Sequence, residues 1–391
     1  MDASTNQHSR MFYDYLSVEQ VFPFELPQVS DTRICYYDKR TGERLKVTEP
    51  GWKHEGSYST SISIRADGNK LVVKGNPSAV NRLDNLDGFR TLDECMAVFN
   101  EIVTSYTDEY GFRRLPRFTK CTEWGLRQGE DGTKSSMVGN GARIRRIDLT
   151  TNRTVGKGND LAYIRALSTQ LWKRKVGHLY EDGRTVDWKA RDHYEKAYQK
   201  AYAIRKFLFP KCKRNFGEDS PEFRYLQSLA NYCDEHGVVR MEQELKAEYL
   251  QRERLEWWGL FDESRFRDIH AEFLAIDQKL EVMGMDYSTI AQTLKEKGIV
   301  ASTQAANATA NIAMQWMHCP GIQFDFKKTQ MEVYAARLNK IGINIRMPYD
   351  VTRHTAVLVR RATEIVTNDN LVLPAFYRHA QAPRTQLRLV A

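Results

Sequence analysis

The hydrophobic pattern of this chain changes period near residue 260, and that change limits which folds are open to it. Upstream, YSTSISIR (58–65) alternates polar and apolar, Asp67-Gly68-Asn69 marks a turn, and KLVVK (70–74) alternates again. The two runs read as a β-hairpin. Gly75-Asn76-Pro77 breaks the pattern, and 91–106 follows as an amphipathic helix with Leu92, Cys95, Met96, Phe99, Ile102 and Val103 on one face. A glycine- and charge-rich loop over 128–141 leads into a strand at 142–150 (ARIRRIDLT). A helix is expected over 160–173, then a short hairpin over 177–188 turning at Glu181-Asp182-Gly183. A long helical stretch is expected from near Arg191, and a strand at 237–245. Beyond Asp262 helical patterns dominate, punctuated by Gly284, Gly298, Pro320-Gly321, Gly342 and Pro348. Strands mixed with helices, followed by helices, predict an α+β domain over 1–257 and a helical C-terminal domain over 258–391.

Composition narrows the partners. With 391 residues, 41% hydrophobic and 28% charged, the chain is long enough for two cores and too apolar to be disordered. A net charge of +8 suits a polyanionic partner, because clustered Lys and Arg displace counterions from phosphates; charge alone also describes an ordinary basic surface. Six cysteines without CxxC spacing argue against a zinc ribbon or a disulfide framework and fit a reducing cytoplasm. The N-terminus lacks a signal-type apolar core, and no run is long enough to span a bilayer, so a soluble cytoplasmic protein with no membrane partner is expected. Met11 is a second candidate start.

Two constellations could carry chemistry. In HYEKAYQKAY, Tyr194, Tyr198 and Tyr202 recur every four residues with Lys196 and Lys200 between them, which on a helix puts the phenols on one face. A tyrosine can attack a phosphodiester and conserve its energy as a phosphotyrosine, but a phenol with a pKa of about 10 needs help from a metal or a nearby cation. The same spacing describes a helix that packs its phenols on the core, and alone that is the better reading. The second constellation is acidic: Arg146 and Asp148 share one strand face, as do Glu242 and Glu244. Carboxylates on neighbouring strands can hold Mg²⁺ or Mn²⁺, or simply line a solvated face.

Several classes are unsupported. The nine histidines form no HxH and no HExxH, and there is no P-loop and no GxGxxG, so the chain is not expected to be its own helicase or NTPase. Basic clusters at Arg143, Arg145 and Arg146, at Lys173, Arg174 and Lys175, and at 211–214 could follow a DNA backbone. Trp124, Trp172, Trp188, Trp257 and Trp258 could stack on unpaired bases, but most are expected to be core or solvated surface. Near the C-terminus, 287–297, a turn at Gly298 and a helix from about Ser302 fit a helix-turn-helix or a plain helical hairpin.

Taken in order, these segments resemble the replication initiators of filamentous phages, the gene II/X family. The similar blocks are KLVVKGNPSAV (70–80), DNLDG (84–88), RRIDLT (145–150), KAYQK (196–200), VVRMEQELK (238–246) and FKKTQMEVYAARLNKIGINI (326–345). The last is similar to the separately translated X portion. The resemblance implies an antiparallel-sheet nuclease domain of the ferredoxin-like, rolling-circle type. It implies an enzyme that nicks one strand of a supercoiled DNA circle, stays on the 5′ end through a phosphotyrosine and later rejoins the strand, working in the bacterial cytoplasm with a host helicase and polymerase. Carried onto this chain, it makes Tyr198 the nucleophile, Lys200 the neighbour that stabilises developing charge, and Asp148 and Glu242 the ligands of Mg²⁺ (or Mn²⁺). Glu244 is added from strand alternation alone, and Tyr202 is either a second nucleophile or a packing residue. The chain departs from the family at Ala203, where many relatives carry Glu. It also lacks the two-histidine metal strand of the broader nuclease superfamily, so any metal site is largely carboxylate. A homo-oligomer is left open. The competing reading is a non-catalytic, sequence-specific DNA-binding regulator built on the helix pair and the basic clusters.

Overall fold

Alternation along the chain builds one large antiparallel sheet. The computed structural model describes residues 11–28, 34–48, 52–54, 58, 61–107, 111, 114–128, 135–282, 287–319, 321–350, 369 and 371–383. The strands are β1 (Phe12–Val21), β2 (Ile34–Tyr37), β3 (Arg44–Thr48), β4 (Trp52–His54), β5 (Ile62–Asp67), β6 (Lys70–Gly75), β7 (Trp124–Gln128) and β8 (Ser135–Gly139). They continue with β9 (Arg143–Thr154), β10 (Leu171–Trp172), β11 (Lys175–Val176), β12 (His178–Leu179), β13 (Thr185–Lys189), β14 (His193–Gln199) and β15 (Val238–Lys246). Nine of them share a sheet in the order β12-β13-β14-β15-β9-β1-β6-β5-β4, while β2 pairs with β3, β7 with β8 and β10 with β11.

The β5–β6 hairpin turns at Gly68 (φ 59°), and the strands expected near 142–150 and 237–245 form as β9 and β15. Residues 59–60 of the expected first strand, 129–134 of the expected loop and the punctuating Gly284 and Pro320 lie outside the described residues. Three expectations need correction. The loop over 128–141 contains β8, which pairs with β7. The helix expected over 160–173 stops at Leu167, where the Ser168 and Thr169 hydroxyls turn back onto the Arg165 and Ala166 carbonyls. Lys173 and Arg174, with φ of 43° and 69°, then make the turn between β10 and β11. The third correction matters most. No helix begins at Arg191; 193–199 is strand β14, and helix starts only at Lys200.

The sheet has one apolar and one polar face. Val239, Met241 and Leu245 on β15, Ile147 and Leu149 on β9, and Leu16 and Val18 on β1 point to the apolar side. Four helices cover it: α1 (Leu92–Ser105), α2 (Asp160–Leu167), α6 (Ala247–Arg252) and α7 (Ser264–Leu274). The α1 helix is the one expected from 91–106, and it opens with a Thr91/Glu94 capping box that satisfies two free backbone donors. The α3 (Lys200–Ala203), α4 (Phe209–Phe216) and α5 (Pro221–Glu235) helices pack with Leu83, Leu86 and Val238 over one end of the opposite, polar face.

Helices α8 (Tyr287–Glu296), α9 (Thr303–His318) and α10 (Thr329–Asn339) enclose a core of their own around Leu294, Ala310, Trp316 and Leu338. The α8–α9 pair joins through Gly298 at φ 63°, as the sequence pattern suggests. The chain then returns to the sheet side: Asp369 pairs with Arg153, and Leu371 and Tyr377 join the core under α5. Among the described residues, no helix is long and apolar enough to cross a membrane.

Helix α7 is tied to β9 through the buried His270, whose Nε2 lies 3.1 Å from the Thr151 hydroxyl. Burial pushes its pKa down to about 3. The unfolded chain, with a histidine pKa of about 6.5, therefore takes up the extra proton. The contribution is complete above that value and fades as pH falls towards 3, at up to about 1.4 kcal/mol per pH unit. Between pH 6.5 and pH 5, urea unfolding of the wild-type chain is expected to lose about 2 kcal/mol more stability than that of His270→Gln. Equal losses would contradict a neutral buried imidazole.

Candidate active site

Strand β14 lies between β13 and β15, and its residues alternate strictly: His193, Glu195, Ala197 and Gln199 are buried, whereas Tyr194, Lys196 and Tyr198 lie half-buried on the polar face. A spacing of four fits both a helical face and a strand face, which is why Tyr194 and Tyr198 do share a side although no helix carries them. Tyr202 belongs to α3 instead.

The neighbouring strands bring the acids. Across β15, Lys196 is in register with Glu242 and Tyr198 with Arg240; across β9, Glu244 is in register with Asp148. The Tyr198 hydroxyl donates to Glu242 Oε1 at 2.5 Å, and Lys196 Nζ lies 2.5 Å from Glu242 Oε2. Asp148 takes two hydrogen bonds from Arg146, at 2.8 and 2.7 Å. Asp148, Glu242, Lys196 and Tyr198 line one cavity of about 240 Å³, together with Asp14, Asn76 and Asn85.

Asp14 has no counterpart in the sequence reading. The pairing of β1 with β9 shifts between Tyr13 and Tyr15, leaving Asp14 as the extra residue. Such a bulge re-aims side chains. Tyr13 stays in the apolar core, while Asp14 and Tyr15 both line the cavity. The one signal available was a lone charge inside the otherwise apolar run FYDYL. Asp14 accepts from Asn76 Nδ2 at 2.6 Å and from Asn85 Nδ2 at 2.9 Å. Behind these groups lies Arg240, 0% exposed. Its Nη1 stands 3.6 Å from Asp14 and 3.9 Å from Glu242, its Nε donates to Asn152 at 3.0 Å, and its Nη2 donates to the Leu86 carbonyl at 2.9 Å.

Proton affinities follow from this arrangement. Burial pushes the Tyr198 phenol up, and the Glu242 charge adds to it, so the hydroxyl is a neutral donor. Burial works against the Glu242 charge, but Lys196 and Arg240 outweigh it and hold the carboxyl below its ordinary range. Burial also lifts Asp148, to about 7, against the pull of Arg146 and with the push of the Glu242 charge. Lys200 is brought down to about 7 by burial and by Arg240.

Some expected site residues stand elsewhere. Lys200 does not line the cavity; its Nζ donates to Asn85 Oδ1 at 2.8 Å, and Lys196 is the cation beside Tyr198. Glu244 pairs with Arg146 at 2.9 Å and with Lys246 at 3.8 Å, outside the cavity. Trp172, Trp188, Trp257 and Trp258 are buried, which removes them as stacking surfaces; Trp124 is exposed. Of the basic clusters, Arg146 is engaged by Asp148 and Glu244 and Arg143 lies over Trp257, while Lys173, Arg174 and Lys175 are exposed.

The cavity's acidic donors are all carboxylate oxygens, which suits a hard divalent cation such as Mg²⁺ or Mn²⁺ and not a thiolate- or imidazole-seeking metal. The Glu242 charge disfavours ionisation of Asp148, a repulsion between carboxylates that such a cation would relieve. Among the described residues, however, no three such side chains are drawn together as a ready ligand set. Each acid is already held by Lys196, Arg146 or the two asparagines, so binding requires those partners to yield.

Comparisons with known proteins agree with one another. A family model for the C-terminal part of the phage replication-associated protein, the gene II product, matches residues 294–383. The replication-associated gene II protein of Escherichia phage If1 is 42% identical over 322 residues, covering 81% of this chain and 96% of that protein. No solved structure matches the chain.

Removing one partner from a buried charge network strands the others. Arg240→Met is expected to lower stability in urea unfolding by about 3–5 kcal/mol. Loss of the exposed Arg191 guanidinium, paired with the exposed Glu248, should leave the midpoint almost unmoved. Equal effects would show that Arg240 does not hold the site together.

Proposed function

Because the chain belongs to the phage gene II family of replication-associated proteins, we propose that it is a rolling-circle initiator that nicks one DNA strand and later rejoins it through Tyr198. The observation that carries this reading is the Tyr198 hydroxyl donating to Glu242 in a cavity that also holds Asp14 and Asp148. Five of the sequence blocks similar to the family place a residue there: Asn76, Asn85, Asp148, Lys196 with Tyr198, and Glu242. Under this proposal the sheet is a nuclease domain of the rolling-circle type and the division falls at 257/258, with α7 and the returning tail packed back against the first part.

In the reaction, Tyr198 Oη forms a bond to the scissile phosphorus and the bond from phosphorus to the 3′ oxygen breaks. Glu242 orients the phenol, whose proton is lost to water, and the departing 3′ oxygen takes up a proton from water to leave as a hydroxyl. The phosphodiester is conserved as a 5′-phosphotyrosine, and attack by a 3′ hydroxyl reverses the steps to rejoin the strand. Lys196 and Arg240 offset the charge gathering on the phosphate oxygens. Lys200 acts one step back, by fixing Asn85 and through it Asp14. Asp148 and Glu242, with Asp14 beside them, would hold Mg²⁺ or Mn²⁺, which when bound lowers the pKa of the phenol and neutralises phosphate charge. The exposed Lys173, Arg174 and Lys175 are available to flanking DNA phosphates. With no P-loop in the sequence, unwinding and synthesis fall to a host helicase and polymerase in the cytoplasm.

Tyr198→Phe is expected to abolish nicking of supercoiled origin DNA while filter binding stays close to wild type. EDTA is expected to stop nicking by the wild-type chain. Lys196→Met is expected to slow nicking by about 10²–10³-fold, in line with loss of one charge-stabilising group. Nicking by Tyr198→Phe at the wild-type rate sinks the assignment, and a chain that binds the origin but never cuts it is instead a regulator.

A further inference from the structure

Tyr198 and Lys196 line two spaces at once. On one side is the carboxylate cavity; on the other is an open groove of about 970 Å³. The groove is walled by Tyr180, Tyr194, Tyr202 and Phe207. Their rings are held in place rather than left to chance. The Tyr180 and Tyr194 hydroxyls both donate to the buried Asp187 Oδ2, at 2.9 and 2.8 Å. Two cations stand near the Tyr202 ring, the Arg184 guanidinium 4.7 Å and the Lys206 ammonium 5.1 Å from its centroid. Phe207 is 58% exposed, in a π-helical turn over Ile204–Leu208, a helix irregularity that recurs at functional sites.

Aromatic faces interleaved with cations, in a groove continuous with a nucleophile, suit one class of ligand. Unpaired bases present free π-faces for stacking and carry phosphates that Lys and Arg attract. Bases within a duplex are already stacked on one another and cannot use these walls. We propose that this groove binds a short run of unpaired nucleotides next to the scissile phosphate, with Tyr202 and Phe207 as stacking surfaces. The inference rests on the nicking reading above and deepens it: the strand must be melted locally before Tyr198 can reach it. It also assigns Tyr202. That residue lines the groove but not the carboxylate cavity, so it acts through its ring and not as a second nucleophile.

The test uses the full chain and a fluorescein-labelled origin oligonucleotide, single-stranded or annealed into a duplex, at one fixed salt concentration. Anisotropy titrations are expected to show that Tyr202→Ala and Phe207→Ala each weaken single-strand binding by about 5- to 100-fold, with duplex binding changed far less. Tyr202→Phe, which keeps the ring, restores the affinity. Circular dichroism of each variant checks that the fold is intact. Covalent adduct formation is read separately on denaturing gels. If the wild-type chain forms no adduct but Phe207→Ala still loses single-strand affinity, the nicking reading fails and the groove stands. If the adduct forms but both alanine variants bind the single strand as the wild type does, the groove assignment is overturned. Loss of rejoining by Tyr202→Phe at full affinity would overturn the statement that Tyr202 is not a second nucleophile.

Discussion

A guanidinium without access to solvent stands where separate segments of the chain meet. Arg240 on β15 faces Asp14 from β1, Glu242 from its own strand, Asn152 from β9 and the backbone carbonyls of Asn85 and Leu86. Taking such a charge out of water costs several kcal/mol unless nearby anions and acceptors replace its hydration. The neighbours therefore cannot vary independently. By satisfying Arg240, the 85–86 loop is drawn down onto the polar face, and Asn85 arrives in position to hold Asp14 and to receive Lys200. The tail reinforces the same loop, since the Tyr377 hydroxyl bonds both the Asp87 amide and Arg82.

Strand geometry then sets which side chains can meet. Residues two apart on a strand share a face, so Lys196 and Tyr198 present themselves together, as do Arg240 and Glu242. The antiparallel register joins the two pairs. One bulge in β1 adds Asp14 to a face that strict alternation would have denied it. The result is a neutral phenol held by a carboxylate that is itself kept charged by Lys196 and Arg240. The aromatic groove opens from the same two residues on the other side.

Most of this was legible in the sequence where a pattern had one physical meaning. The β5–β6 hairpin, α1, β9, β15 and the α8–α9 pair all follow from unambiguous periods and turns. The tyrosine segment had two meanings, because a spacing of four suits either element, and neighbours distant in sequence decided for the strand. That decision moved the cation beside Tyr198 from Lys200 to Lys196. Asp14 was hidden because a bulge depends on the partner strand, which no local pattern reveals. For the tryptophans the expectation that most are core holds for four of the five, but composition does not say which ring stays exposed, and that is Trp124.

The central claim is that the phenol seated on β14 forms the covalent link to DNA, and peptide mapping addresses it most directly. After reaction with origin DNA, nuclease trimming and trypsin digestion, mass spectrometry should find the nucleotide adduct on the 197–200 peptide, carried by Tyr198. An adduct on Tyr194 or Tyr202, or cleaved DNA without any tyrosine adduct, would contradict it.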